Sequence, residues 1–216
     1  MKNNYKYKIE NLINEIKDMG INNEKIFEAI RAIPRHKFVP KEYLYQAYSN
    51  YPLPIGDNQT ISQPYTVAYM LNFLELKKND KVLEIGAGSG WSVALIGFLV
   101  KPGKVYSIEI LKSLYEFASK NIKKVKLNDI KVIHADGSQG LQEYAPYDKI
   151  VLTAASPSIP KPILEQLKVN GILIAPVGFG YGQEMVKIIK INKNDYREER
   201  LGSFIFVPLK GKFGYK

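Results

Sequence analysis

Cysteine is absent from the 216 residues, which removes disulfides, thiolate nucleophiles and zinc–cysteine sites from consideration. Histidine is nearly absent too. His36 and His134 are the only two, and neither has a partner at metal-ligand spacing, so no metal site is expected. His134 falls in an expected strand and reads as a packed core residue. No run of 18 apolar residues occurs, so neither a transmembrane helix nor a membrane partner is expected. The opening MKNNYKYKIENL lacks the apolar core of a signal peptide. There is no G-x-S-x-G elbow, so acyl transfer lacks its nucleophile. These absences fit a cytoplasmic protein.

Apolar residues, at 45%, suffice for a sizeable core. The net charge is +10, from 31 basic and 21 acidic residues. A basic surface attracts nucleic acid, but the lysines are spread along the whole chain and the cluster NIKKVKLND (121–129) is short. A solvated, Lys-rich face is the simpler reading, and nucleic acid is not an expected partner. Residues 1–78 read as a helical and substrate-loop region and 79–216 as a cofactor-binding domain, the two forming one compact unit.

Two helices are expected first. Ile9, Leu12, Ile13 and Ile16 share one face of a helix that Gly20 ends. Asn23 is placed to cap a second helix carrying Ile26, Phe27, Ile30 and Ile33, which Pro34 closes. Residues 34–64 hold five prolines and several tyrosines, which predicts a functional surface segment with short pieces of helix or strand. A helix over 65–75 follows, with Val67, Met70, Leu71 and Leu74 on one face. From residue 80 strands and helices alternate. Strands are predicted at 81–85, 104–108, 130–134, 149–154, 171–176, 185–191 and 203–208, and helices at 89–99, 111–122, 137–143 and 160–167. KINKND (190–195) reads as a hairpin turn. The early strands are continuous apolar runs, as in a parallel sheet covered on both faces. The pattern predicts an α/β fold with a doubly wound, mostly parallel sheet, an N-terminal helical extension and an antiparallel C-terminal edge.

Val82–Gly90, VLEIGAGSG, carries the main chemical signal. A buried strand ends in Glu84 and opens into Gly86, Ala87, Gly88, Ser89 and Gly90. Such a loop lets backbone N–H groups approach a ligand beside a helix N-terminus. Its G-x-G-x-G spacing differs from the dinucleotide fingerprint G-x-G-x-x-G and points instead to S-adenosylmethionine. Ligands in open α/β sheets bind outside the carboxyl ends of the strands, and three further strand ends carry candidates. Glu109 can accept hydrogen bonds from ribose hydroxyls, or cap the next helix as a surface charge, and Ile110 follows it. Asp136, before Gly137, can accept from an adenine amino group or N-cap the following segment. Thr153 and the two alanines after it leave room for a sulfonium, or form a plain strand-to-loop turn. Upstream, Ser62 could cap the 65–75 helix, and Thr60 could end a turn.

Together RHKFVP (35–40), PLPIGDNQTISQPYTVAYM (52–70), VLEIGAGSGW (82–91), VYSIE (105–109), ADG (135–137), YDKIVLTAASPSIPKPILEQLKVNGILIAPVG (147–178) and FVPLKG (206–211) resemble the protein-L-isoaspartate (D-aspartate) O-methyltransferases. The glycine motif is shared with many methyltransferases; TISQPY, the TAASPSIP block and FVPL are specific. The resemblance implies a protein-repair enzyme that methylates the α-carboxylate of L-isoaspartyl residues with S-adenosylmethionine, its partners being isoaspartyl-containing proteins and peptides. It implies Ser62 as the active-site serine. Glu84 and the loop from Gly86 to Gly90, with Glu109, Ile110, Asp136, Gly137 and Thr153, would hold the cofactor. Pro54, Ile55, Thr60, Gln63 and Val207 would line the peptide site. The chain departs from the family's pattern in Asp57–Asn58 of the 56–60 loop, in Trp91 where tyrosine is usual, and in Asn170 before Gly171. A tRNA methyltransferase would share the glycine loop and the ribose acid, and the charge of +10 favours it, but TISQPY and FVPL do not.

Overall fold

The computed structural model describes residues 2–180 and 182–215. Seven strands form one sheet in the order β5-β4-β3-β6-β7-β8-β9: β3 (Val82–Ile85), β4 (Val105–Glu109), β5 (Ile130–His134), β6 (Tyr147–Leu152), β7 (Leu167–Val177), β8 (Gln183–Lys190) and β9 (Tyr196–Phe204). Pairing is parallel from β5 through β7 and antiparallel at β7–β8 and β8–β9. The chain winds outward from β3 to β5, then returns to lay β6 on the other side of β3. That reversal is the topological switch point, where connections diverge to the two faces and leave a crevice above the strand ends. All four residues of β3 are buried, as a central strand covered on both faces requires.

Helices α1 (Lys2–Asp18), α2 (Glu24–Ala32), α3 (Pro64–Leu74), α4 (Trp91–Val100) and α5 (Lys112–Val125), with the short α6 (Lys161–Glu165), complete the layers. The N-terminal helices do not stand apart. Leu12, Ile13 and Ile16 of α1 and Phe27 and Ile30 of α2 share one apolar cluster with Leu95 of α4 and Ile174 of β7. Each such burial stabilises by about 2 kcal/mol, which outweighs the modest intrinsic helicity of α1. Between α2 and α3 the chain forms two 3-10 turns (Arg35–Lys37 and Lys41–Gln46) and a small hairpin of β1 (Leu53–Gly56) and β2 (Gln59–Ile61). Asp57 and Asn58 turn it with φ of 51° and 57°, the paired positive angles of a type I′ turn, which Asp and Asn tolerate.

Several expectations need correction. The last strand is Tyr196–Phe204, not 203–208; residues 205–207 are irregular and Pro208 makes an isolated bridge to Ala155. The helix expected at 137–143 is two 3-10 turns parted by Gly140, whose φ is 71°. Asn23 occupies the N-cap position of α2, but its side chain bonds Asn72 of α3 instead of capping. His134 is exposed rather than packed in the core; its ring stacks on Tyr115 and its Nε2 lies 3.1 Å from the Ile110 carbonyl.

Candidate active site

A cavity with about 970 Å3 of open space, mouth included, lies above the carboxyl ends of β3, β4 and β6. Its floor is the glycine loop. Gly86, Gly88 and Gly90 have φ of 101°, 53° and 85°, a region that other residues rarely enter. A Cβ on Gly86 would come within 2.5 Å of Thr153 Oγ1, and one on Gly137 within 2.8 Å of Ile85 Cγ2. The site is thus carved from positions that cannot carry a side chain without displacement. Four of the loop's five amides are bonded within the protein, while that of Ser89 has no partner among the described residues. Those of Gly86 and Ala87 bond the Ile108 carbonyl, and that of Gly90 bonds Ala87. The loop offers close approach and shape more than a ring of N–H groups.

Glu109 closes one wall. It is almost fully buried, and its two oxygens accept from the amides of Gly88 (2.9 Å) and Leu111 (3.0 Å). Neither expected role covers this: the carboxylate braces the glycine loop from the next strand. Each oxygen retains a second lone-pair direction. Thr153 braces from the other side, its hydroxyl donating to the carbonyls of Gly86 (2.6 Å) and Ile85 (3.1 Å).

Ser62 and Thr60 reach the cavity from the β2–α3 segment, and Val207 from the C-terminal tail. The capping alternative for Ser62 does not hold. Gln63 takes the N-cap position, and the Tyr65 amide is satisfied by Asn50 Oδ1 at 3.0 Å. Among the described residues the Ser62 hydroxyl has no hydrogen-bond partner, while its carbonyl accepts from Arg35. Ala87, Ser89, Ile110 and Gly137 also line the cavity.

Glu84, Gly90, Asp136, Pro54, Ile55 and Gln63 lie outside that lining. Glu84 is fully buried beneath the loop, its Oε2 accepting from Ser107 Oγ at 2.6 Å, while among the described residues its Oε1 has no partner. Burial pushes its carboxyl up to about 7 against the pull of the Ser107 hydroxyl. Asp136 caps the 3-10 turn through Ser138 N and also accepts from Lys212 N, both at 2.9 Å. Burial alone would raise its carboxyl, but these bonds outweigh it and hold it below the ordinary value. Pro54 is exposed on the hairpin. Gln63 ties Asn50 and Thr66 together. Ile55 packs over the loop, 3.6 Å from where a Cβ on Gly88 would stand.

Sequence reasoning missed the apolar wall of Met70, Leu71, Trp91 and Leu114, and the tail residues Leu209 and Lys210. The α3 face holding Met70 and Leu71 had been legible as apolar, but not which cavity it bounds.

Residues 7–214 match the family model described as Protein-L-isoaspartate(D-aspartate) O-methyltransferase (PCMT). A Dictyoglomus turgidum protein named protein-L-isoaspartate O-methyltransferase is 49% identical over 212 residues, covering 98% of this chain and 95% of the relative. One of the same name from Methanospirillum hungatei is 43% identical over 94% of this chain and 92% of its own length. Among solved structures, a protein-L-isoaspartate O-methyltransferase superposes with a TM-score of 0.87 at 28% identity, covering 95% of this chain and 67% of that one. A Plasmodium falciparum protein described as a putative enzyme of this kind, in complex with S-adenosyl-L-homocysteine, gives 0.81 at 26% identity over 95% and 98%.

Proposed function

The chain belongs to the protein-L-isoaspartate (D-aspartate) O-methyltransferase family, and from that premise we propose how its own residues perform the reaction. It is a protein-repair methyltransferase that esterifies the α-carboxylate of L-isoaspartyl residues, using S-adenosylmethionine. The ester then cyclises spontaneously to a succinimide, which can reopen as normal aspartate. The cavity suits an adenosine-bearing molecule: its walls are largely apolar, a buried carboxylate stands at the end of β4, and glycines allow close approach. When bound, S-adenosylmethionine supplies a methyl group carried on a sulfonium cation.

Glu109 would accept ribose hydroxyls on the lone pairs that Gly88 and Leu111 leave open. Gly86 to Ser89 and Ile110 would follow the contour of the molecule, with Gly137 beside the base. Thr153 sets the height of the loop, while Glu84, Gly90 and Asp136 act from behind the lining. On the acceptor side, an isoaspartyl α-carboxylate with a pKa of about 3.3–3.7 is ionised at neutral pH and needs no general base. Ser62 would donate one hydrogen bond that orients it, between Thr60 and Val207. Ile55 covers the loop, and Pro54 and Gln63 shape the hairpin and its base. Rate then comes from alignment and from excluding water, which both charged reactants prefer. A cytoplasmic location and the absence of a nucleic-acid partner fit this reading.

The observation that carries the role of Ser62 is its unpartnered hydroxyl in the same cavity as Glu109 and the glycine loop. Ser62→Ala should lower single-turnover methylation of an isoaspartyl peptide by about 10²-fold, the scale of one lost oriented donor, with cofactor affinity unchanged. Full single-turnover activity in that variant would refute the role.

A further inference from the structure

Arg35 is fully buried, yet among the described residues no carboxylate pairs with its charge. Its Nη1 donates to the carbonyls of Ala47 (3.1 Å) and Ser49 (3.3 Å), and its Nη2 to those of Tyr51 (3.1 Å), Ile61 (3.5 Å) and Ser62 (3.0 Å). Tyr51 precedes the β1–β2 hairpin, and Ile61 and Ser62 end it. The planar guanidinium therefore pins both ends of the hairpin at its base. Its Cζ also lies 5.5 Å from the centre of the Trp91 ring, at the first residue of α4 after the glycine loop. One side chain touches the acceptor segment and the start of the cofactor helix.

A buried cation held by carbonyl dipoles and one aromatic face, with no counter-charge, is costly to keep, since these only partly offset its desolvation. Carbonyls alone could be satisfied by neutral donors. A neighbouring site that must receive an anion gives the positive charge a use. We propose that Arg35 is a positioning residue for the acceptor: it fixes Ser62 through the Ser62 carbonyl, and its uncompensated charge favours the arriving isoaspartyl carboxylate. The proposal rests on the acceptor chemistry given above. Low local dielectric makes such a charge felt further than at the surface.

Two variants separate geometry from charge. Arg35→Lys keeps the charge and up to three donors but loses the planar fork; Arg35→Gln removes the charge. Peptide kcat/KM should fall about tenfold in Arg35→Lys and about a hundredfold in Arg35→Gln. Cofactor affinity by calorimetry should stay within about threefold of wild type. These factors are scaled on the loss of one or two charge-assisted hydrogen bonds. With S-adenosyl-L-homocysteine in place of the methyl donor, binding of an isoaspartyl peptide bearing the α-carboxylate should weaken along the series, whereas that of its α-carboxamide twin should not. A peptide kcat/KM within threefold of wild type in both variants would overturn the proposal, as would equal weakening of the carboxylate and carboxamide peptides or a parallel loss of cofactor affinity. If Arg35→Gln fails to fold, Arg35→Lys decides by the same readings. Wild-type methylation of the isoaspartyl peptide, measured alongside, tests the acceptor assignment separately.

Discussion

Glu84 carries its carboxyl into the sheet beneath the glycine loop, and burial lifts it from the ordinary 4.5 to about 7. Between those values the native state keeps a proton that the unfolded chain has released. Stability therefore falls as pH rises through that window, and above it the cost of a buried charge is fully present. Glu84→Gln mimics the protonated acid and carries no such cost. Its stability relative to wild type should rise between pH 5 and pH 8 by up to about 3 kcal/mol, read from denaturant midpoints. A difference that stays constant with pH would contradict the assignment. Residue identity alone reveals little of this kind. Glu109 was legible because an acid at a strand end 19 residues beyond Gly90 stands out; that it also braces the loop amides was not. Nothing in RHKF singled out Arg35, because sequence cannot show that backbone carbonyls from 47 to 62 converge on it.

The elements differ in how plainly their sequences announce them. Central strands β3, β4 and β6 are apolar runs bounded by glycine, proline or charge, and they fell within a residue or two of expectation. The edge strand β9, YREERLGSF, has no apolar run because one side of it meets solvent. The neighbouring FIFVPL drew the expectation instead, yet that stretch leads out of the sheet into a tail. The tail is a strap across the cavity: Leu209 N bonds Ala155 O, Ala155 N bonds Val207 O, and Asp136 and Ser138 hold the amides of Lys212 and Phe213. A carboxylate expected at the adenine thus latches the chain that walls the site. Asp136→Ala should release the strap, with faster amide exchange over 209–213 and cofactor affinity lowered about tenfold, the scale of one charged hydrogen bond. Unchanged exchange there would contradict the latch.

The whole molecule joins these parts through one continuous apolar cluster that runs from Ile9 to Met185 and includes α1 to α5. We propose accordingly that 1–78 and 79–216 act as a single folding unit, with the hairpin suspended between them over the switch point. That arrangement explains why the cofactor half was legible and the acceptor half was not. The first obeys a general rule about strand ends, whereas the second is assembled from a hairpin, a helix start and a tail far apart in sequence. Only the TISQPY and FVPL resemblance brought them together. The charge of +10 leaves one competing acceptor class, RNA, which the same cofactor half would serve. One incubation decides between them: methyl-tritiated S-adenosylmethionine with an isoaspartyl peptide, its normal aspartyl twin and bulk tRNA, each separated before counting. Label is expected on the isoaspartyl peptide alone, released as volatile methanol when the ester cyclises at neutral pH. Label on tRNA, or on both peptides equally, would contradict it.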